Sequence, residues 1–194
     1  MEATTLKFLD ELLRSGRAHD EDEPDHDRQY RNVERAGAEL LHLLVSGRPP
    51  GPILEIGTSN GYSGIWLADA AGEGGEVVSV DDDKGRSAEA AKNLAEVGLA
   101  DRVRLVVADA GAFLRDQPDG AWDLIFLDAD RSAYAAYWPD LRRVLAGDGL
   151  IAVDNCTSHA EQVAEFRAVV DADRDVESVL TPVGAGVLLI AHRR

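Results

Sequence analysis

The chain has 194 residues, a formal net charge of −16 and a single cysteine, Cys156. That length suits one α/β domain with an ordinary core. So acidic a chain argues against duplex nucleic acid and anionic membranes as partners, since both require clustered Lys and Arg, and one cysteine excludes an intrachain disulfide. No apolar run is long enough to span a bilayer. The opening Met1-Glu2-Ala3-Thr4-Thr5 lacks the basic and apolar regions of a secretory leader, so a cytoplasmic location is expected.

Leu6, Leu9, Leu12 and Leu13, behind a capping Thr4 or Thr5, predict a short amphipathic helix over 4–14. The acidic run 20–27, which contains Pro24, reads as a solvated loop or, alternatively, as a lid. Val33, Leu40, Leu41 and Leu44 predict a longer helix over 28–46, ended by Pro49-Pro50-Gly51-Pro52. Strands then follow at 53–56, 77–81, 103–107, 123–128 and 149–153. Helices at 62–71, 85–97, 110–115 and 133–145 separate them, with another at 159–171. Strands alternating with helices mean βαβ units and a parallel sheet covered on both faces. Residues 176–181 and 187–191, joined across Gly184 and Gly186, read as a closing antiparallel hairpin. The reading is a single domain over 1–194, with N-terminal helices over 1–48 and an α/β core over 53–194.

The core is organised around Glu55-Ile56-Gly57-Thr58-Ser59-Asn60-Gly61-Tyr62-Ser63-Gly64, a strand running through a tight turn into a helix. Its glycines allow a close backbone approach to a ligand, and the helix start favours an anion. Ser59 stands where a dinucleotide fold places its second glycine, which disfavours a pyrophosphate. Asp81, 24 residues past Gly57 at the end of the second strand, offers a pair of acceptors to ribose hydroxyls. Asp82 and Asp83 suit helix capping. Asp109 suits either an adenine amino group, with the Ala110 N–H beside it, or a helix cap. Asp128 and the pair Asp154-Asn155 close the fourth and fifth strands. They bring two carboxylates and a carboxamide to one sheet edge, hard oxygen donors fit for Mg²⁺, Mn²⁺ or Ca²⁺. A nicotinamide-dependent oxidoreductase needs no such group and is the runner-up enzyme.

The glycine turn resembles the first motif of class I S-adenosylmethionine (SAM)-dependent methyltransferases. Its wording is similar to the small O-methyltransferases related to catechol and caffeoyl-CoA O-methyltransferases. Asp128-Ala129-Asp130-Arg131-Ser132-Ala133-Tyr134 resembles that family's Asp-Ala-Asp-Lys-x-Asn-Tyr, and Asp154-Asn155 its Asp-Asn. The likeness implies a Rossmann-like fold whose mostly parallel seven-stranded sheet takes a reversed last strand between the fifth and sixth. It implies SAM as cofactor, held by Glu55, Gly57, Thr58, Ser59, Gly61, Tyr62, Ser63, Asp81, Asp109, Ala110 and Asp128, with Tyr134 nearby. It implies metal ligation by Asp128, Asp154 and Asn155, catalytic roles for Asp128 and Arg131, and a small hydroxylated aromatic acceptor. A homodimer is expected by likeness alone.

This chain also departs from the family. Arg131 replaces a lysine, Ala133 replaces an asparagine, and the substrate insertion after Asp-Asn is missing. Arginine stays protonated, so Arg131 suits an anionic acceptor better than it suits base catalysis. It can equally be a surface residue pairing with Asp128 or Asp130. A SAM-binding module without activity is the non-enzymatic alternative. With no insertion, the N-terminal helices are the material left to close an acceptor pocket. His159 reads foremost as a helix cap, with substrate contact and proton acceptance as alternatives. Cys156 reads as a small buried residue, and Trp138 as an aromatic wall or a packing residue.

Overall fold

In a computed structural model of the chain, residues 1–25 and 28–193 are described. Two helices come first, α1 (Ala3–Asp22) and α2 (Arg35–Ser46). The alternating core follows as β1 (Pro52–Ile56), α3 (Tyr62–Ala71), β2 (Glu76–Asp81), α4 (Lys84–Glu96), β3 (Val103–Val107), α5 (Ala110–Arg115), β4 (Trp122–Leu127), α6 (Tyr134–Val144), β5 (Leu145–Val153) and α7 (Ala164–Ala172). Strands β6 (Val176–Thr181) and β7 (Val187–His192) form the final hairpin.

One seven-stranded sheet runs in the order β3-β2-β1-β4-β5-β7-β6. Strands β1 to β5 are parallel, and β7 lies antiparallel between β5 and β6. The reversed strand therefore sits where the resemblance puts it. Side chains alternate across the sheet with period two, so each strand feeds two cores. Ile53, Leu124 and Phe126 pack beneath α1, α2 and α3, while Leu54, Ile56, Ile125 and Leu127 pack beneath α6 and α7. Tyr134 and Trp138 meet Phe166 edge-on at 5.7 and 5.9 Å, so Trp138 is a packing residue of the second core rather than an aromatic wall. Trp66 and Trp122 are buried.

The N-terminal third differs from the sequence reading. Helix α1 runs on to Asp22, so Asp20, Glu21 and Asp22 belong to a helix and not to a loop. His26 and Asp27 lie outside the described residues. The helix expected over 28–46 begins only at Arg35, and residues 29–34 form a non-helical strap. The Asp20 carboxylate holds that strap by accepting from the Tyr30 and Arg31 backbone N–H groups at 2.7 and 2.8 Å. Those N–H groups are thus satisfied by a side chain instead of by a helical turn. Helix α7 begins at Ala164, so His159 is not its cap; it sits in the preceding turns, with Nδ1 against the Ser158 hydroxyl at 2.8 Å. No described helix is long and apolar enough to cross a membrane.

Candidate active site

The order of the sheet reverses direction around β1, which pairs with both β2 and β4. Open α/β sheets place ligands at such a switch point, beyond the carboxyl ends of the strands. Here a cleft of about 490 Å³ opens there, lined by the glycine turn, the ends of β2, β3 and β4, and the strap. A shallower depression of about 530 Å³ lies on α1, away from every strand end.

The turn is built tightly. Gly57 has φ +104°, and a Cβ there would lie 2.0 Å from the Asp128 carbonyl oxygen, so only glycine fits. Asp81 braces the turn from β2. Its Oδ2 accepts from the Thr58 and Ser59 N–H groups, both at 3.0 Å, and its Oδ1 from the Asp83 N–H at 2.9 Å. A carboxylate offers about four acceptor positions. Three are filled from within the chain, leaving about one open.

Beneath the turn, the Thr58 hydroxyl donates to Ser79 Oγ at 2.6 Å, and the Ser79 hydroxyl donates to Glu55. Glu55 is fully buried and its Oε1 has no partner. Burial foremost pushes its carboxyl up to about 7, against the pull of the Ser63 and Ser79 hydroxyls.

Gly57, Ser59, Ser63, Asp81, Asp109, Ala110 and Asp128 line the cleft; Glu55, Thr58, Gly61 and Tyr62 do not. Glu55 and Thr58 support the turn from below. The Tyr62 ring is in the core against Trp66, because the register of α3 turns it toward α1 and α2. Asp109 caps α5 by accepting from the Ala112 N–H at 2.7 Å while it borders the cleft, so its two readings coexist. Asp83 caps α4 through the Arg86 N–H at 2.9 Å. Tyr134 lies behind the cleft. Its hydroxyl accepts from the Ala129 N–H at 2.6 Å and donates to the Ala129 carbonyl at 3.0 Å, which fixes the loop after β4.

Asp128, Asp154 and Asn155 do come together. Asn155 Nδ2 donates to Asp128 Oδ1 at 3.2 Å and to Asp154 Oδ2 at 3.1 Å. Asp154 is buried, and its Oδ1 has no partner. Burial, then the charge of Asp128, pushes its carboxyl up to about 7, and burial raises Asp128 as well. The two adjacent carboxylates resist ionisation even with the Arg131 charge acting on both, and the donor set is the all-oxygen kind that hard divalent ions take. The residues therefore fit such an ion. A half-turn of the Asn155 amide would present its Oδ1, which now accepts from Ser158 at 3.2 Å. Among the described residues no group of three or more His, Cys, Asp or Glu could hold a metal ion, so the candidate donors are two carboxylates and the Asn155 amide. Cys156 is buried, and its thiol is pushed up to about 11 by burial, which makes it a packing residue.

The sequence reading missed the strap. Tyr30, Arg31, Asn32 and Val33 line the cleft, as do Arg86, Tyr137 and Gln162. Ser59 donates to the Tyr30 carbonyl at 2.7 Å, and the Tyr30 hydroxyl donates to Glu89 at 2.7 Å. The available signal was the stretch Arg28 to Glu34, which contains one aliphatic residue and no helical period. All three described non-glycine residues with positive φ adjoin this site: Arg31 at 49°, Ser59 at 49° and Asn155 at 63°. Such conformations persist where surrounding contacts hold them, and they gather at working sites.

A parallel sheet with a reversed seventh strand, and a one-acid glycine turn facing a strand-end acid, define a class I methyltransferase. The O-methyltransferase family model matches residues 9–193, and the chain belongs to that family of SAM-dependent enzymes. A catechol O-methyltransferase of Mycobacterium tuberculosis is 38% identical over 123 residues, covering 63% of this chain and 56% of that protein. The chain thus spans little more than half the length of this relative. A catechol O-methyltransferase of Niastella koreensis is 31% identical over 156 residues, covering 73% and 71%. Among solved structures, an O-methyltransferase from Bacillus cereus in complex with S-adenosylhomocysteine superposes with a TM-score of 0.80 at 26% identity, covering 96% of this chain and 91% of that one.

Proposed function

We propose that the chain transfers a methyl group from SAM to a hydroxyl of a small catechol-like acceptor, with a divalent cation held by Asp128, Asp154 and Asn155. The observation that carries this is that Asp128, which lines the cleft beside the glycine turn, meets Asp154 and Asn155 from the adjacent strand end. The catechol O-methyltransferases among the relatives support the acceptor class.

When bound, SAM supplies an electrophilic methyl on a sulfonium, and the cation supplies Lewis acidity that lowers the pKa of a nearby phenol. The chain's own residues position these groups. Asp81 has an acceptor position left for a ribose hydroxyl. Ala110, the first residue of α5, lines the cleft, and its N–H is the donor an adenine would use there. Gly57 lets the turn lie against the Asp128 backbone, so cofactor and acceptor ends of the cleft are held at a fixed separation. Arg131 remains protonated and does not act as the base.

Calorimetric titration with SAM, S-adenosylhomocysteine and NAD, followed by turnover of a catechol panel with and without EDTA, tests this reading. Binding of the first two alone, with EDTA-sensitive methylation, is expected. Turnover indifferent to EDTA would remove the cation. SAM binding with no turnover of any phenol would leave a binding module, the reading that Arg131 and Ala133 favour.

A further inference from the structure

We propose that Arg31 and Arg131 form a two-sided seat for an anionic group, a carboxylate, on the methyl acceptor. The word acceptor rests on the methyl-transfer reading above; the seat itself rests on the side chains.

Among the described arginines, Arg28, Arg35, Arg104, Arg142, Arg143 and Arg167 are engaged by carboxylates, Arg35, Arg142 and Arg143 by two each. Arg31 and Arg131 both line the cleft, yet among the described residues neither has a carboxylate within ion-pairing distance. Arg131 lies next to Asp130 in sequence, but the Asp130 carboxylate accepts from the Ser132 N–H and hydroxyl instead. Its guanidinium reaches only Gln162 Oε1, at 3.2 Å, and its Nε is buried without a partner. A buried, unsatisfied donor on a permanent cation is costly until an acceptor arrives.

Arg31 approaches from the strap, with its backbone in the left-handed region at φ 49° and held there by Asp20. An L-residue avoids that conformation unless something holds it. Here the result is a second guanidinium at the cleft.

Both guanidiniums line one cleft with Asp128, and Gln162, the partner of Arg131, lines it too. Asp128 does not neutralise the pair if its charge is committed to a cation. Two planar forks facing a cleft match a carboxylate, which accepts from both.

The cofactor's own amino-acid carboxylate is the other source of the same chemistry. The test therefore compares benzoate with benzamide on the full chain, with Mg²⁺, both before and after saturation with S-adenosylhomocysteine. Benzoate should bind about tenfold more tightly than benzamide, as charge-assisted pairs do, and should keep that preference when the cofactor site is filled. Arg31→Gln and Arg131→Gln should each erase most of the preference, and the lysine variants should retain part of it. Equal binding of the two probes to the unaltered chain would overturn the seat. So would a preference that survives both Gln variants, or one that vanishes once S-adenosylhomocysteine is bound. A vicinal dihydroxybenzoate and its amide separate the two proposals. A benzoate preference without methylation of the dihydroxybenzoate supports the seat and overturns the catechol reading.

Discussion

Replacing Glu55 by glutamine isolates the energetic consequence of burying an acid beneath the cofactor turn. Glu55 is fully buried, one of its oxygens has no partner, and its carboxyl is pushed from an ordinary 4.5 to about 7. At about 1.4 kcal/mol for each tenfold change in proton affinity, that difference corresponds to about 3 kcal/mol. The sign follows from the direction. A raised carboxyl means that the folded state holds the proton more tightly than the unfolded chain. The stabilisation is fully present below about 4.5 and is lost as pH rises through about 7. Glutamine keeps the shape and an acceptor for Ser79 but does not titrate. Urea unfolding in EDTA, at about pH 4.5 and about pH 8, measures the change in stability of each protein. The unaltered chain should lose about 3 kcal/mol more than Glu55→Gln across that interval. Any fixed cost of seating the amide cancels, and Asp154 titrates alike in both proteins. Parallel stability curves would refute the reasoning, since they would mean that Glu55 ionises in the folded chain as easily as in the unfolded one.

Gly57→Ala should cost at least about 2 kcal/mol of stability, read as a lowered urea midpoint, and should abolish SAM binding, because the added methyl meets the Asp128 carbonyl at a positive φ. Asp81→Ala should weaken S-adenosylhomocysteine binding by about 1.5–3 kcal/mol in calorimetry, and Asp82→Ala by much less, since only Asp81 also braces the turn. Asp128→Ala and Asp154→Ala should each remove methyl transfer while circular dichroism stays that of a folded protein; retained turnover in either would displace the cation from the account. Deleting residues 1–27 should unfold the chain rather than open a lid, because α1 contributes the buried Leu9 and Leu13 to the core and Asp20 holds the strap. A folded truncated protein would contradict that.

The parallel strands were legible because each is a short apolar run with Gly, Asp or Asn at or just past its end, and the βαβ spacing leaves few topologies to choose from. Asp128, Asp154 and Asn155 were legible for the same reason, as polar residues where apolar strands stop. The strap was not. Val33 looks like the first member of a helical stripe with Leu40, Leu41 and Leu44. Partners distant in sequence take the strap's backbone groups instead of a helical turn: Asp20 accepts from the Tyr30 and Arg31 N–H groups, and Ser59 donates to the Tyr30 carbonyl. Arg31 was therefore invisible as a cleft residue. Tyr62 fails for a related reason: being in the motif does not reveal which way α3 turns its ring. The bracing role of Asp81 depends on how closely β2 lies beside the turn, and its spacing from Gly57 cannot report that.

The most direct test of the central claim is mass spectrometry of a catechol incubated with the full chain, Mg²⁺ and SAM carrying a deuterated methyl group. The account predicts one labelled methyl on one of two vicinal oxygens, with S-adenosylhomocysteine formed in equal amount and both lost in Asp154→Ala. Labelled product formed equally well by that variant, or no labelled product from any vicinal diol despite SAM binding, would contradict it.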